Sequence, residues 1–420
     1  MPPEFPSGAH EDHPAERPTQ GTCERGNRLH VLKRPGAGAP DHLSFPVRCR
    51  VICSTGLMCA TTRSSHPTAL CLAEDWGSPQ SSSMEKQRAP RNRTLNCSAE
   101  EIERLSQELT KLECSAVPAD LEGKVINQDL FEVAKHLPKA FADLIVLDPP
   151  YNLSKNFHGH VFKGKEKQEY AQYFSMILDA VLPTLKANGT IYVCSDWKTS
   201  LHIAPVLADR LHVRNRITWE REKGRGAKTN WKNNTEDIWF CTKSSADDFV
   251  FNVDAVKLKR KVIAPYRDSE GKPKDWDESG DGNYRLTHPS NIWTDITIPF
   301  WSMQENTDHP TQKPEKLIAK LVLASSHAGG FVFDPFLGSG TTAVVCKKLG
   351  RRFVGVDQNT EYCCWTMKRL ELAALDPSIQ GFAGGVFWER NSLINQKAGR
   401  EAPPKTALLS LAQKVAQKQK

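Results

Sequence analysis

At 420 residues the chain is too long for one small core and asks for two or three units. A hydrophobic fraction of 39% and a charged fraction of 25% fit a globular protein with polar ends. No stretch reaches the roughly 18 apolar residues of a membrane span, and a net charge of +7 admits a polyanionic partner without identifying one.

Residues 1–83 are rich in Pro, Ser, Gly, Arg and His, show no sustained periodicity, and read as disordered. The opening lacks an apolar leader, so a cytoplasmic location is expected and secretion is not. Five of the twelve cysteines (Cys23, Cys49, Cys53, Cys59, Cys71) fall in this stretch, and none of the twelve forms a C-x-x-C pair. They read as reduced thiols, with no metal site expected. The texture changes at Met84, which we expect to be the true start of translation, with 1–83 an upstream extension.

Segment 84–119 is a helical lead-in: Ser98 with Glu101 three residues on has the form of a capping box. "GKVINQDLFEVAKHLP" and "ADLIVLDPPY" predict two strands with a helical turn between them. "KEKQEYAQYFSMILDAVLPTLKANG" predicts one amphipathic helix over 165–189 closed by Gly189, with "TIYVCSD" the next strand. A helix follows over 199–212, kinked or shortened at Pro205, and then a strand pair, "RNRITWERE" and "EDIWFCTKS". Residues 244–300 read as irregular and polar. From 316 to 373 the order is helix, strand, glycine loop, helix, strand, helix, with Cys363 and Cys364 as core residues, and the end of the chain reads as frayed. Strands alternating with helices on this scale predict a mostly parallel α/β sheet.

Two places carry chemistry. In "FVFDPFLGSGTTA" the run Gly338-x-Gly340-x-x-Ala343 follows a strand and opens a helix, and an acid, Asp357, ends the next strand about 20 residues on. Glycines let the backbone approach a ligand and the acid takes ribose hydroxyls, so a nucleoside-bearing cofactor is expected. The other place is Asp148-Pro149-Pro150-Tyr151, where a buried strand ends on a carboxylate and two prolines. The prolines fix the backbone, so the Asp148 carboxylate and the Pro149 carbonyl become two rigid acceptors suited to an exocyclic amine. Tyr151 offers a π-face to a planar base, worth about 1–3 kcal/mol.

With these motifs the chain resembles the amino-methyltransferases of DNA, the group in which a catalytic Asp-Pro-Pro-Tyr precedes the cofactor loop Phe-x-Gly-x-Gly. The matching residues are Asp148-Pro149-Pro150-Tyr151, Phe336-Leu337-Gly338-Ser339-Gly340, and "HPTQKP" at 309–314, and the likeness spans about 120–375. It implies an α/β, doubly wound, mostly parallel sheet of the S-adenosylmethionine-dependent, Rossmann-like type, circularly permuted, with an inserted target-recognition region. The catalytic half would be 120–213, the recognition region 214–300, the cofactor half 301–375, and 376–420 a tail.

The resemblance further implies that Asp148 and the Pro149 carbonyl hold the target amine, with Pro150 stiffening the corner and Tyr151 stacking on the base. Phe336, Gly338, Gly340 and Thr341 would line the S-adenosylmethionine pocket. Asp334 would lie near its methionine end, Asp357 at the ribose, Asp129 by the adenine, and Lys313 at the methionine carboxylate. Asp at position 148 favours adenine N6 over cytosine N4 as target, in double-stranded DNA whose base is flipped out of the stack. Within 214–300, Arg221, Lys223, Arg225, Lys228, Lys257, Lys259, Arg260 and Lys261 form two basic clusters interleaved with Trp219, Trp231 and Tyr266, suited to phosphate contacts. His158 and His160 would lie in a loop that closes on the base. A homodimer and a cognate restriction endonuclease are possible partners. The alternatives are a cytosine-N4 or RNA base methyltransferase, a catalytically silent DNA-binding protein, and a nicotinamide-dependent oxidoreductase, which leaves Asp148-Pro149-Pro150-Tyr151 unexplained.

Overall fold

A computed structural model describes residues 89–390 apart from 158–159, 222–228 and 280–281. These residues belong to one unit, Ser83–Lys420, and the other unit, Met1–Ser82, lies outside them. Met84, His158, Lys223, Arg225 and Lys228 therefore also lie outside the described residues.

The helices are α1 (Ala99–Gln107), α2 (Pro118–Leu121), α3 (Leu130–Val133), α4 (Lys167–Val181), α5 (Trp197–Arg210), α6 (Glu315–Ser325), α7 (Thr341–Leu349) and α8 (Thr360–Leu375). The first eight strands are β1 (Lys124–Ile126), β2 (Ala142–Leu147), β3 (Lys155–Phe157), β4 (His160–Phe162), β5 (Leu185–Ser195), β6 (His212–Glu220), β7 (Thr235–Thr242) and β8 (Leu258–Lys261). They are followed by β9 (Asp277–Ser279), β10 (Gly282–Thr287), β11 (Ile292–Trp293), β12 (Phe331–Asp334), β13 (Arg352–Val356), β14 (Phe382–Ala383) and β15 (Val386–Trp388).

The main sheet has the order β1-β13-β12-β2-β5-β7-β6-β11. Strands β1 through β5 in that order pair in parallel, and β7 joins antiparallel to both β5 and β6. Alternation along β2 explains the double covering. Leu144 and Val146 enter a core shared with α6 and α7, while Ile145 and Leu147 face a core shared with α4 and α5. Each such fully buried aliphatic side chain contributes about 1.5–3 kcal/mol. The doubly wound α/β reading is thus met.

The lead-in helix α1 has the expected capping box, Ser98 with Glu101, and Arg104 ties it to Glu371 of α8. The long helix expected over 165–189 divides. Pro183 has no N–H to continue the helical ladder, so α4 ends at Val181, a 3-10 turn covers Leu182–Thr184, and the chain is already in β5 at Leu185. Gly189 closes no helix; it sits in β5 where the register against β2 shifts between Leu185 and Thr190. Helix α5, by contrast, runs through Pro205.

The region read as irregular also needs correcting. Strands β8, β9 and β10 build a second sheet of order β14-β15-β8-β10-β9, so residues up to Trp388 of the expected tail are ordered structure. Val256, Leu258 and Phe387 carry this sheet into the α6 core. The buried carboxylate of Asp295 bridges Lys316 (2.7 Å) and Lys320 (2.8 Å) of α6, and Lys316 also donates to the Trp388 carbonyl.

Candidate active site

Strands β2 and β12 lie side by side at the middle of the main sheet, Leu144 opposite Val332 and Ile145 opposite Phe333. From β2 the next strand of the sheet is β5 on one side; from β12 the chain crosses through α7 to β13 on the other. Such a reversal opens a crevice at the carboxyl ends of the strands. Asp148 follows β2 directly, and Asp334 ends β12. Two carboxylates therefore meet at one crevice from distant parts of the sequence.

The corner after β2 is held from several sides. The Tyr170 hydroxyl of α4 donates to the Pro150 carbonyl at 2.8 Å. The Lys313 ammonium donates to Asp148 Oδ2 at 2.6 Å and to the Tyr151 hydroxyl at 3.1 Å, and lies 3.5 Å from Glu236 Oε2. The Tyr151 hydroxyl donates to Glu236 Oε2 at 3.0 Å, and Arg221 donates to the other Glu236 oxygen at 2.6 Å. Asp148 Oδ1 is shielded from solvent and accepts no hydrogen bond from any described residue. Burial pushes the Asp148 carboxyl upward, against the opposing pull of Lys313. Lys313 is itself buried, but Asp148 and Glu236 outweigh its desolvation and hold the ammonium charged.

The glycine loop faces this corner. Gly338 (φ +53°) and Gly340 (φ +80°) both take left-handed backbone, and Gly340 is the N-cap of α7. The Asp357 carboxylate accepts the N–H groups of Gly338 and Asn359, each at 2.8 Å, fastening the loop to the end of β13. Asp334 accepts the Phe336 N–H at 3.0 Å, and burial pushes its carboxyl up to about 7. Behind the loop, buried Arg369 donates to the Ser339 carbonyl (2.7 Å) and Thr341 Oγ1 (3.2 Å) and pairs with Glu315 (3.1 Å).

A cavity of about 430 Å³ joins corner and loop. Among its lining residues are Asp129, Asp148, Pro149, Pro150, Tyr151, Arg221, Lys313, Phe336, Gly338 and Asp357. A smaller one of about 30 Å³ continues past Asp148 to Asp334, Ser339 and Thr341. These walls fit a nucleoside-bearing ligand. A Cβ on Gly338 would sit on left-handed backbone 3.1 Å from His309 Nε2, so glycine suits the wall there, and acids follow β1 (Asp129) and β13 (Asp357).

Most of the site residues expected from sequence thus converge. Gly340 lines neither cavity; it packs against Thr366 of α8 instead. Lys313 is bound to Asp148 at the corner after β2, whereas the sequence places it at a ligand carboxylate. Tyr151 is likewise tied by its hydroxyl into the Lys313–Glu236 pair. In the second basic cluster, Lys257, Lys259, Arg260 and Lys261 belong to or adjoin β8 and line neither cavity. Lys257 pairs with Asp254, Lys259 lies 4.6 Å from the Trp388 ring, and Arg260 faces Glu389 at 3.8 Å.

Three residues escaped the sequence reading. Glu236 opens an apolar strand, which is an odd place for a buried acid and was the available signal. His309 was quoted within "HPTQKP" without a role; its ring stands edge-on to Tyr362 at 4.5 Å, and both line the larger cavity. Tyr362 sits in α8 with no local mark that it reaches the cleft.

Comparison with known proteins gives a consistent picture. Residues 142–368 match the family model described as DNA methylase. The type II methyltransferase M.HpaI of Haemophilus parainfluenzae is 32% identical over 253 residues, covering 60% of this chain and 75% of that protein. The DNA adenine methyltransferase YhdJ of Escherichia coli is 32% identical over 256 residues, covering 60% and 83%. Among solved structures, the PvuII cytosine-N4-specific DNA methyltransferase aligns with a TM-score of 0.46 at 16% identity, covering 61% of this chain and 87% of that one. The M1.HpyAVI–SAM complex aligns with a TM-score of 0.41 at 23% identity, covering 59% and 98%.

Proposed function

This chain belongs to the DNA methylase family, and we propose that it transfers a methyl group from S-adenosylmethionine to the N6 amine of adenine in double-stranded DNA. The observation that carries this reading is Asp148 Oδ1, a buried carboxylate oxygen without a partner among the described residues, on the cavity that the glycine loop also lines. A buried acceptor left open costs about 1–3 kcal/mol, and a donor in the substrate removes that cost. The relative named as a DNA adenine methyltransferase, YhdJ, supports adenine over cytosine.

S-adenosylmethionine supplies a methyl group on a sulfonium, which is already a good leaving group. The chain's own contribution is positional. Phe336, Gly338 and Asp357 would seat the nucleoside part, Asp129 the adenine edge, and Asp334 and Thr341 the methionine end. Asp148 Oδ1 and the Pro149 carbonyl would each accept one hydrogen of the target amine. That would draw the nitrogen lone pair out of conjugation; as the N–C bond forms the C–S bond of the sulfonium would break, S-adenosylhomocysteine would leave, and the methylated amine would give up one proton to water. Acceptors fixed in advance need no reorganisation as charge develops. The target base must leave the helix to reach this depth. Type II relatives support a place beside a cognate endonuclease. No helix among the described residues is long and apolar enough to cross a membrane.

The test is expression in a bacterial host free of DNA methylation, followed by single-molecule sequencing of its DNA beside an Asp148→Ala control. N6-methyladenine confined to one short sequence and absent from the control is expected. Marks on cytosine N4 would move the target, and no marks at all would sink the reading.

A further inference from the structure

The two oxygens of Asp148 are treated differently. Oδ2 is held by the Lys313 ammonium at 2.6 Å, while Oδ1 is buried and open. Lys313 in turn is not free to swing. Its ammonium touches the Tyr151 hydroxyl at 3.1 Å and Glu236 Oε2 at 3.5 Å, and its backbone carbonyl accepts from Thr341 Oγ1 at 3.0 Å. Glu236 is itself anchored by Arg221 and Tyr151. The lysine is thus fixed at both ends of its stem, and its shortest side-chain contact is the one to Asp148.

We propose that Lys313 is a positioning residue for methyl transfer: clamped by Glu236 and Tyr151, it pins one oxygen of Asp148 and leaves the other as the open carboxylate acceptor for the target amine. The inference rests on the methyltransferase reading given above. Its physical content is twofold. A carboxylate with one oxygen fixed by a charge-assisted hydrogen bond cannot rotate, so Oδ1 stays aimed. The ammonium also pulls the Asp148 carboxyl down against the burial that raises it, and a neutral carboxyl would offer the amine a competing O–H. The other charged or titratable groups facing Asp148 are Glu236, Tyr151, Tyr170, Cys194 and Asp334, with Lys155 more remote. Burial and the Glu236 anion raise the Asp148 carboxyl, Lys313 and, less strongly, the Tyr151 hydroxyl lower it, and burial holds the Tyr151 and Cys194 protons in place, so Lys313 is the charged group that opposes neutralisation.

The experiment compares full-length wild type, Lys313→Gln, Lys313→Arg and Glu236→Gln by three readouts: S-adenosylmethionine affinity, kcat for DNA methylation against pH, and the Asp148 titration. The last uses carboxyl-13C aspartate, with Asp148→Asn identifying the resonance, and needs no substrate. For Lys313→Gln we expect cofactor affinity within about twofold of wild type, kcat at pH 7 lower by about 10²-fold, and an acidic limb moved to higher pH by about one unit or more, as the Asp148 resonance moves. Lys313→Arg restores part of the rate. Glu236→Gln, which keeps the ammonium and loosens its clamp, gives a smaller loss of kcat. Cofactor affinity falling in step with rate while the Asp148 titration stays put would overturn the inference and return Lys313 to the cofactor. An unfolded Lys313→Gln protein, seen as lost cofactor binding and lost near-ultraviolet dichroism, leaves Glu236→Gln to decide: an unchanged kcat and Asp148 titration there overturns it as well. Inactive wild type would defeat the methyltransferase reading alone, since the 13C titration still tests whether Lys313 controls Asp148.

Discussion

Helix α7 is bounded by two glycines in the same left-handed backbone region, Gly340 at φ +80° and Gly350 at φ +69°. Replacing either with alanine places a Cβ on left-handed backbone, which costs about 1–2 kcal/mol. There the likeness ends. A Cβ at Gly350 meets nothing within 4 Å, whereas one at Gly340 lies 2.7 Å from Thr366 Cβ and closer still to both branches of that side chain. Thr366 is fully buried, and its hydroxyl donates to the Tyr362 carbonyl at 3.0 Å, so it has no empty space to turn into. Relieving the overlap requires α8 and the glycine loop to part, at a further cost of about 1–3 kcal/mol. Gly340→Ala should therefore destabilise by about 2–5 kcal/mol and Gly350→Ala by about 1–2 kcal/mol. Equilibrium urea unfolding measures both, and S-adenosylmethionine binding should weaken in Gly340→Ala but hold in Gly350→Ala, at the far end of the helix. Equal destabilisation by the two substitutions would refute the reasoning, because the close approach of α8 to the loop would then carry no weight.

Asp148→Ala should lower turnover by about 10²-fold or more, in the range found for losing one pre-organised hydrogen-bond partner at a reacting centre. Its cofactor affinity, followed by calorimetry, should stay near that of wild type. Asp334 has its carboxyl pushed up to about 7, so below that pH it is neutral and above it ionised. Affinity for the cationic methionine end of S-adenosylmethionine should accordingly rise with pH up to about 7 and then level off; a flat profile in the wild type, or a profile unchanged in Asp334→Asn, would contradict it. Arg369→Met leaves Glu315 short of one cation and the Ser339 carbonyl without its donor. Breaking a buried pair of this kind costs about 3–5 kcal/mol, read in the urea midpoint, with weaker cofactor binding as the loop loosens.

What could be read from the sequence was local. Asp148-Pro149-Pro150-Tyr151 and the glycine loop announce themselves because proline and glycine restrict or free the backbone at the residue where they stand. The apolar run of β2 and the capping box at Ser98 are local in the same sense. What could not be read depends on partners far along the chain. Lys313 meets Asp148 across 165 residues, and nothing around "HPTQKP" says which acid its ammonium will find. The second sheet pairs β8 with β15, strands of four and three residues with no periodicity of their own. The partners of the basic cluster on β8 were equally hidden, because the acids and rings that engage Lys257, Lys259 and Arg260 come partly from other strands. Gly189 was a different failure. Two helix-ending residues competed, and Pro183 acts first because it removes a hydrogen-bond donor, whereas glycine only weakens a helix.

The placement of Lys313 also bears on how the two halves of the site are joined. Thr341, the first residue of α7, gives its hydroxyl to the Lys313 carbonyl and receives Arg369, which in turn holds the Ser339 carbonyl of the glycine loop. The Lys313 side chain then reaches across to Asp148. Loop, helix start, lysine and carboxylate form one chain of buried contacts, so the glycine loop cannot shift without moving the residue that aims Asp148. In an in-line transfer the distance between methyl donor and amine must be set by something other than either ligand. A tether between the two walls of the cleft sets it, and in this fold the tether is Lys313, joined to Thr341 by its backbone carbonyl and to Asp148 by its ammonium at the β2–β12 crevice.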